Sequence, residues 1–424
     1  MARGAASIGP GLVFLLSVVG PQDLITNSIA GATQGYGLIW ILVLASAARF
    51  LFLEATARYV IVTGESIAAG CGRVGKWMVW LVFLTPLIKR HLAGLTQVLL
   101  LGVAAHSILP LPTRHSVAIW GALSWALAFV LLFWGRYRRI ERFGRVMAVV
   151  FGGCLAAAAI MAGPRPGDVL RGALTPALPD EVNLYGSVMV VMAILGSAVG
   201  SISNLRYAAF VHEKGWREVA FLRRQRFDML LSVSGMFVML VAIQVAAAGA
   251  LRPAGLKLER VEDLIPIFSL VLGDAGRIVF AAGLWSATFN YHVGGSAGHG
   301  LMLADIYHRY LRPSAVIAEQ DTGRGAAYLP AYRWFLLYFC LAPLYVVLTD
   351  WTPMWLVLIN SAGNVVLLPV IIVALMRLTA GKSILGRYAN GWFVNAAMGL
   401  ALAGALWLAG QGAAELFAKL TGGG

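Results

Sequence analysis

Apolar residues in this chain run in long stretches that short polar links separate. About eleven stretches are long enough to cross a hydrocarbon layer ~30 Å thick, for which a helix needs ~20 residues. The pattern predicts membrane-spanning segments 1 to 11, in chain order, at 9–34, 37–61, 77–107, 116–134, 146–163, 184–211, 228–250, 270–306, 330–349, 352–376 and 390–417. Segments 3, 6 and 8 are long, so we expect them to be tilted, broken or extended beyond the bilayer.

Segment 1 is interrupted by Gly20-Pro21-Gln22-Asp23, which joins two apolar halves. A charge at membrane depth costs roughly 2.5–3.5 kcal/mol, so such residues are usually functional. Backbone that lacks helical hydrogen bonds persists there only where it lines a protein or water cavity. Broken helices of this kind form the midplane sites of many transporters. We therefore expect segment 1 to be unwound at 20–23 and to bind a substrate.

Segment 6 carries a second interruption, the run from Gly196 to Asn204, which is rich in glycine and serine. Small residues in a membrane helix also serve close packing, and that alternative stays open. Because segments 1 and 6 lie five apart, we favour inverted repeats, each led by a broken helix. The repeats would cover about 9–163 and 184–376, with segment 11 (390–417) added, inside one transmembrane transporter domain, 1–424. No polar stretch is long enough for a separate soluble domain.

Composition and charge agree with a membrane protein. Hydrophobic residues make up 59% of the chain and charged residues 12%, which excludes an ordinary soluble globule. The net charge of +14 lies mostly in every second loop, the positive-inside pattern. We therefore expect no nucleic-acid partner. The predicted location is the prokaryotic plasma (inner) membrane, with the N-terminus in the cytoplasm and the C-terminus outside.

The opening of the chain resembles the NRAMP (natural resistance-associated macrophage protein) metal-transporter family. The resemblance rests on Gly9-Pro10-Gly11, the interruption at 20–23, Thr26-Asn27, Ala30-Gly31-Ala32, Gly35-Tyr36, Trp40 and Val62-Thr63-Gly64. It runs without gaps over about 55 residues, with weaker similarity in segments 6, 8, 9 and 10. It implies an all-α LeuT-type bundle of about 11 transmembrane helices, alternating access, and a site between unwound parts of segments 1 and 6.

The chain departs from the family where the metal would bind. Gly20 stands in the place of the family's Asp, and Asp23 in the place of its Asn. Gly200-Ser201-Ile202-Ser203 replaces Met-Pro-His, so the soft sulfur ligand is absent. Asp23 is the one tentative metal ligand, and Mn²⁺ and Fe²⁺ are expected to be poor substrates. The predicted substrate-binding residues are Gly20, Gln22, Asp23, Ser197, Gly200, Ser201, Ser203, Asn204 and Asn364; Asn360 lies near the same part of segment 10.

Segment 3 carries Lys89-Arg90-His91 where the family has acidic residues for a proton route. These lie about 20 Å along the helix from Lys76, near the bilayer middle. Lys89 and Arg90 need partners there, and Glu54 and Asp23 are the candidates. Arg206 follows the segment 6 interruption and would bind an anion or pair with a carboxylate. Arg333 resembles the family's proton-network arginine, although a snorkelling helix-end arginine explains it almost as well.

Two substrates remain open. Ancestry favours a hard divalent cation such as Mg²⁺, which keeps several waters in an oxygen-only site, and we place it narrowly first. Electrostatics favours a small inorganic anion such as bicarbonate, drawn by helix N-termini and the basic cluster. A non-transporting receptor or scaffold is a third class, and no enzymatic activity or cofactor is expected. The simplest assembly is a monomer in the lipid bilayer, and proton coupling is left open.

Overall fold

The computed structural model describes residues 14–15, 19–134, 137–176, 187–253, 261–264, 273–313, 330–349 and 353–420. Regular structure in these ranges is helical throughout. The α-helices are α1 (Pro21–Gln34), α2 (Ile39–Thr63), α3 (Ile67–Val74), α4 (Lys76–Ile108), α5 (Ser116–Trp134), α6 (Tyr137–Met161), α7 (Pro166–Leu174), α8 (Ser187–Val199), α9 (Leu205–Glu213), α10 (Leu222–Ala250), α11 (Asp274–Ile306), α12 (Pro330–Leu341), α13 (Pro353–Thr379), α14 (Lys382–Leu385) and α15 (Trp392–Leu420). Short 3-10 turns cover Ile202–Asn204, Val219–Phe221, Val261–Leu264, Ala342–Leu348 and Gly386–Tyr388, and a π-helical turn covers Tyr307–Leu311.

Eight helical stretches of the described chain are long and apolar enough to cross a membrane. They are Ile39–Thr63, Lys76–Ile108, Ser116–Phe133, Val188–Glu213, Val219–Ala250, Pro330–Leu348, Leu356–Thr379 and Trp392–Ala414, which correspond to predicted segments 2, 3, 4, 6, 7, 9, 10 and 11. Helices α1, α6 and α11 lie in segments 1, 5 and 8. Parts of segments 1 and 8 fall outside the described residues, so the number of crossings stays a prediction.

The interruption in segment 1 differs from the predicted one. Helix α1 already begins at Pro21, and only residues 19 and 20 are non-helical next to it. Pro21 lacks an N–H, as suits a first helical position. The Asp23 Oδ2 atom accepts a hydrogen bond of 3.0 Å from the Gly20 N–H. The prediction of unwound backbone over 21–23 is therefore wrong, because these residues start a helix.

Segment 6 is broken close to the predicted place. Helix α8 ends at Val199, Gly200 and Ser201 are non-helical, and a 3-10 turn leads into α9. Gly200 has a φ of +68°, a left-handed conformation that costs other residues roughly 1–2 kcal/mol. Glycine thus permits the chain to change direction in the middle of the segment.

The two interrupted segments pack in matching ways. Helix α1, in segment 1, packs against α10, in segment 7, while α8 and α9, in segment 6, both pack against α2, in segment 2. Helices α4 and α11, in segments 3 and 8, pack along each other. Segments 6 and 2 are five positions away from segments 1 and 7. The contact between segments 6 and 2 therefore corresponds to the contact between segments 1 and 7, as expected for an inverted repeat. The division into repeats stays a prediction.

Candidate functional site

A cavity of about 50 Å³ lies between the two interruptions. At roughly 10–15 Å³ per water centre, it has room for about three to five water-sized groups. Its walls come from α1, α2, α4, α8, α9, α11, α13 and the segment 6 turn. The lining residues are Gln22, Asp23, Arg49, Thr85, Pro86, Lys89, Arg90, Ala93, Ser197, Gly200, Ser201, Ile202, Ser203, Arg206, Tyr291, His299, Asn360 and Asn364.

The cavity is lined by more positive than negative groups. Its cationic residues are Arg49, Lys89, Arg90 and Arg206, and its one carboxylate among the described lining residues is Asp23. The three arginines are 1%, 3% and 1% exposed. Arginine keeps its charge in proteins, so the buried walls, with Lys89 included, carry three positive formal charges in excess once Asp23 is subtracted.

One carboxylate oxygen of Asp23 accepts a hydrogen bond and the other does not. Its Oδ2 atom caps α1 through the Gly20 N–H, whereas Oδ1 has no hydrogen-bond partner among the described residues. The Ser197 hydroxyl lies beside the carboxylate but hydrogen-bonds to the Ile194 carbonyl oxygen at 3.1 Å. Asp23 is 2% exposed, so its second oxygen is buried in the cavity wall, with the Ser197 hydroxyl nearby but bonded elsewhere.

Arg49 reaches from α2 to the broken end of α8. Its Nη1 atom donates to the carbonyl oxygens of Ala198 at 2.8 Å and Ser197 at 3.4 Å. Carbonyls in the last turn of a helix lack helical partners, and the helix dipole is negative there. Arg49 therefore stabilises the end of α8 while its charge contributes to the cavity.

Arg90 is anchored by side chains that are not among the lining residues of the cavity. Its Nη2 atom lies 2.6 Å from Nδ1 of His292 and donates to Gln97 Oε1 at 2.9 Å, and its Nε atom donates to Ser296 Oγ at 3.2 Å. His292 in turn stacks on Trp125 with ring centroids 3.6 Å apart. These partners are neutral, so they orient the guanidinium without cancelling its charge.

Lys89 and Arg206 complete the basic walls. The Lys89 ammonium donates to the Asn360 carbonyl oxygen at 2.7 Å. Arg206 Nε donates to the Ser203 carbonyl oxygen at 3.3 Å, and its Nη1 atom is buried without a hydrogen-bond partner in the described chain. Gly295 on α11 allows the close approach of the arginines, because a Cβ there would lie 3.1 Å from Arg206 Nη1 and 3.4 Å from Arg90 Nη1.

Asn364 ties the segment 6 turn to α13. Its Oδ1 atom accepts a hydrogen bond from the Ser201 hydroxyl at 2.9 Å, and its Nδ2 atom donates to the Gly196 carbonyl oxygen at 3.0 Å. A Cβ on Gly200 would lie 2.5 Å from Ser203 Oγ and 3.4 Å from Arg49 Nη2. The turn is thus held open by side-chain hydrogen bonds and by the small residue at its apex.

Several residues predicted for the site lie elsewhere. Gly20 packs against the Tyr291 ring instead of lining the cavity. Asn204 donates to the Val199 carbonyl oxygen at 3.0 Å behind the turn. His91 lies beside Tyr338 and Tyr345, with ring centroids 6.1 and 5.7 Å away. Arg333 is exposed near the start of α12.

Glu54 forms ion pairs away from the cavity. Its carboxylate pairs with Arg226 at 2.9 Å and with Arg58 at 3.3 Å. The prediction that Glu54 neutralises Lys89 or Arg90 is therefore wrong. The hydrogen-bond acceptors described above for Lys89 and Arg90 are uncharged, and only the fold could show that two other arginines surround Glu54.

The sequence reasoning missed Arg49, Tyr291, His292 and His299. An arginine in the middle of segment 2 is the same signal that singled out Lys89 and Arg90, so Arg49 was detectable. The Tyr291 ring faces the Arg90 guanidinium, whose carbon lies 5.6 Å from the ring centroid. The two histidines lie in an apolar, glycine-rich stretch, where no spacing distinguished them from packing residues.

The described residues include no group of three or more His, Cys, Asp or Glu side chains that could hold a metal ion. Neutral oxygen atoms, the His299 imidazole and the Asp23 carboxylate are what the described cavity lining offers to a cation. On the described walls, four cationic side chains oppose this single negative ligand.

Comparisons with known proteins identify relatives over nearly the whole chain. The family model described as natural resistance-associated macrophage protein-like matches residues 11–414. The divalent metal cation transporter MntH of Aeromonas hydrophila is 24% identical over 397 residues, covering 90% of this chain and 89% of its own. The protein of the same name from Verminephrobacter eiseniae is 24% identical over 417 residues, with coverages of 92% and 86%.

Solved structures agree on the fold. A variant of the Eremococcus coleocola manganese transporter superposes with a TM-score of 0.76 at 16% identity, covering 99% of this chain and 90% of that one. MhsT in complex with L-phenylalanine superposes with a TM-score of 0.61 at 15% identity, covering 96% and 100%. The predicted all-α fold of the LeuT type is confirmed.

Proposed function

This chain belongs to the Nramp family of membrane transporters, and from that premise we propose that it is a secondary transporter whose remodelled site carries a small inorganic anion such as bicarbonate by alternating access. Family membership places the chain among transporters, not enzymes. The identity of the substrate rests on the cavity of this chain.

The observation that carries the proposal is the excess of buried positive charge around the cavity. Arg49, Arg90 and Arg206 are nearly inaccessible, Lys89 lies beside them, and Asp23 is the one carboxylate on the described walls. Buried charges without counter-charges cost several kcal/mol each. An anion in the cavity would supply the missing counter-charge, and the first turn of α1, with its positive dipole end, faces the same space.

Electrostatic magnitudes oppose a divalent cation. At 10 Å and an effective dielectric of 20, two unit charges interact by ~1.7 kcal/mol. Three positive charges remain after the Asp23 charge is subtracted. Each would repel a divalent ion by ~3.3 kcal/mol, which gives ~10 kcal/mol for the three together. We therefore place the anion ahead of the cation, in reverse of the order that ancestry suggested.

A hard divalent cation such as Mg²⁺ is the second candidate, because two of the relatives are named as divalent metal cation transporters. The oxygen atoms of Asp23, Gln22, Asn360 and the serines suit a hydrated hard ion. The described lining has no sulfur ligand of the kind that favours softer transition metals. This candidate requires that the four cationic side chains lose their charge or turn away when the ion binds.

Uptake into proteoliposomes separates the two candidates. Purified protein is tested with labelled bicarbonate at alkaline pH, where dissolved CO₂ is a minor species, and with Mg²⁺ and Mn²⁺. We expect saturable bicarbonate uptake above that of empty vesicles and no saturable uptake of either metal.

Variants assign the uptake to the cavity. Lys89→Met and Arg206→Met each remove one cavity charge and should abolish bicarbonate uptake, while Arg333→Met removes an exposed charge and serves as the matched control. Saturable Mg²⁺ uptake that survives both cavity variants, with no bicarbonate uptake, would overturn the anion proposal in favour of the second candidate.

The remaining expectations belong to the same proposal. We infer a location in the prokaryotic inner membrane with the N-terminus in the cytoplasm, a monomeric carrier and one transmembrane domain built from two repeats. If transport is coupled to protons, Asp23 is a residue on the described cavity wall that can carry one.

A further inference from the structure

Two charged side chains in the cavity wall each retain an unused bonding position. The Oδ1 atom of Asp23 has no donor and the Nη1 atom of Arg206 has no acceptor within the described structure. Both residues line the cavity and are 2% and 1% exposed. The amide nitrogen of Gln22 on the same wall is also unpartnered, while its oxygen accepts from the Tyr291 hydroxyl at 3.4 Å.

These two atoms impose opposite requirements on whatever occupies the cavity. A guanidinium nitrogen can only donate, and a carboxylate oxygen can only accept. The assignment does not depend on how amide groups are turned, because neither a guanidinium nor a carboxylate has that ambiguity. A ligand that leaves a buried polar atom unpaired loses the full desolvation cost of that atom.

Building on the proposed function, we propose that the cavity selects an oxyanion that carries a hydrogen, so that its negative oxygens accept from Arg206 and Gln22 while its own O–H donates to Asp23. Bicarbonate meets both requirements. Nitrate has the same planar shape, the same charge and the same number of heavy atoms, but it has no hydrogen to donate. Asp23 is then a specificity-determining residue that repels aprotic anions.

The size of the cavity supports a small anion of this kind. About 50 Å³ corresponds to roughly three to five water-sized groups, and bicarbonate has four heavy atoms. The difference in hydration between the two anions makes nitrate a useful competitor, because it separates selection by charge from selection by hydrogen bonding. Nitrate is the more weakly hydrated anion, so a basic pocket that selects on charge alone would favour nitrate over bicarbonate.

The test measures labelled bicarbonate uptake by wild-type proteoliposomes with nitrate, formate or acetate as competitors. Formate and acetate are carboxylates in which a hydrogen or a methyl group replaces the hydroxyl of bicarbonate. We expect each competitor to inhibit at least about tenfold more weakly than unlabelled bicarbonate, because sites built for a substrate hydroxyl reject analogues without it strongly. The wild-type series decides the proposal even if no variant folds.

The Asp23→Asn variant then assigns the preference to one atom. An asparagine Oδ1 can still accept from the Gly20 N–H, which turns the Nδ2 donor toward the cavity. We expect the preference for bicarbonate over nitrate to fall to within about threefold, since the variant replaces the unpartnered carboxylate acceptor by a donor that suits nitrate. Asp168→Asn removes an exposed carboxylate of the same type and should leave the preference unchanged.

The outcomes separate this inference from the proposed function. Wild-type uptake of bicarbonate with equally strong inhibition by nitrate would overturn the hydrogen requirement and leave an anion transporter. A folded Asp23→Asn protein that still rejects nitrate would overturn the role of Asp23. Absence of any anion uptake, together with Mg²⁺ uptake, would overturn the proposed function itself.

Discussion

The Nη2 atom of Arg90 lies 2.6 Å from Nδ1 of His292, and this contact fixes the tautomer of the histidine. Arginine can only donate, so Nδ1 accepts and the ring proton resides on Nε2, which faces the Cys340 sulfur at 3.9 Å. A neutral residue on α11 thereby orients a cation that lines the cavity. This arrangement keeps the charge of Arg90 available to a ligand.

Replacement of His292 should disturb Arg90 without any change in net charge. His292→Phe keeps an aromatic ring against Trp125 but removes the acceptor, and we expect a loss of about 1–3 kcal/mol in stability with strongly reduced uptake. His292→Gln restores an acceptor and should recover part of both. Thermal unfolding in detergent and proteoliposome uptake measure the two effects. Equal behaviour of the two variants would show that the acceptor is unimportant.

The break in segment 6 should depend on Gly200 for two separable reasons. An alanine there meets both the backbone cost of φ +68° and the Ser203 hydroxyl 2.5 Å from its Cβ. Gly215 has a φ of +76°, and a Cβ added there would meet no atom within 4 Å. We expect Gly215→Ala to cost only the backbone term, ~1–2 kcal/mol, and to transport normally. Gly200→Ala should cost more and abolish uptake; equal effects on stability and uptake would exclude the steric explanation.

The cluster around Glu54 should be important for stability and irrelevant to substrate choice. Glu54→Gln leaves Arg58, whose side chain is 6% exposed, without its counter-charge, and breaking a buried pair costs ~3–5 kcal/mol. Arg226→Gln should cost less than ~1 kcal/mol, because the Arg226 side chain is half exposed. Detergent melting curves compare the two variants. A change in the ratio of bicarbonate to nitrate inhibition in Glu54→Gln would contradict the separation of this cluster from the cavity.

Glu65, in the link between α2 and α3, should make the stability of the folded protein depend on pH. The Arg73 guanidinium hydrogen-bonds to both Glu65 oxygens, at 2.5 and 2.9 Å, and lowers the pKa of that carboxyl. A lowered folded-state pKa adds stability above the unfolded value, ~4.3, which is lost as the pH falls through the folded one. The pair is partly exposed, so the contribution should be small. The melting-temperature advantage of wild type over Glu65→Gln should shrink below about pH 4.3, and an advantage that grows on acidification would refute the assignment.

The sequence by itself determined the class of protein and indicated where the candidate cavity lies. Apolar length and the positive-inside pattern are local or compositional properties, so they can be read without contacts. The Gly-Pro at the start of α1 and the Gly-Ser run at Gly200 indicate where the helices are interrupted. The family resemblance predicted the fold. The same reasoning misjudged the extent of the first interruption, because Pro21 and Asp23 are as suited to begin a helix as to prevent one.

Only the tertiary structure decided which charges meet. Arg49, Arg90, Arg206 and Asp23 lie far apart in the chain, and each could have paired with several oppositely charged residues. Folding brings Glu54 to Arg58 and Arg226 instead, and leaves Asp23 as the one carboxylate among four cations on the described cavity walls. The sign of the charge at the site follows from Coulomb interactions over a few ångströms, and such distances across helices are set by packing, which no pattern along the sequence specifies.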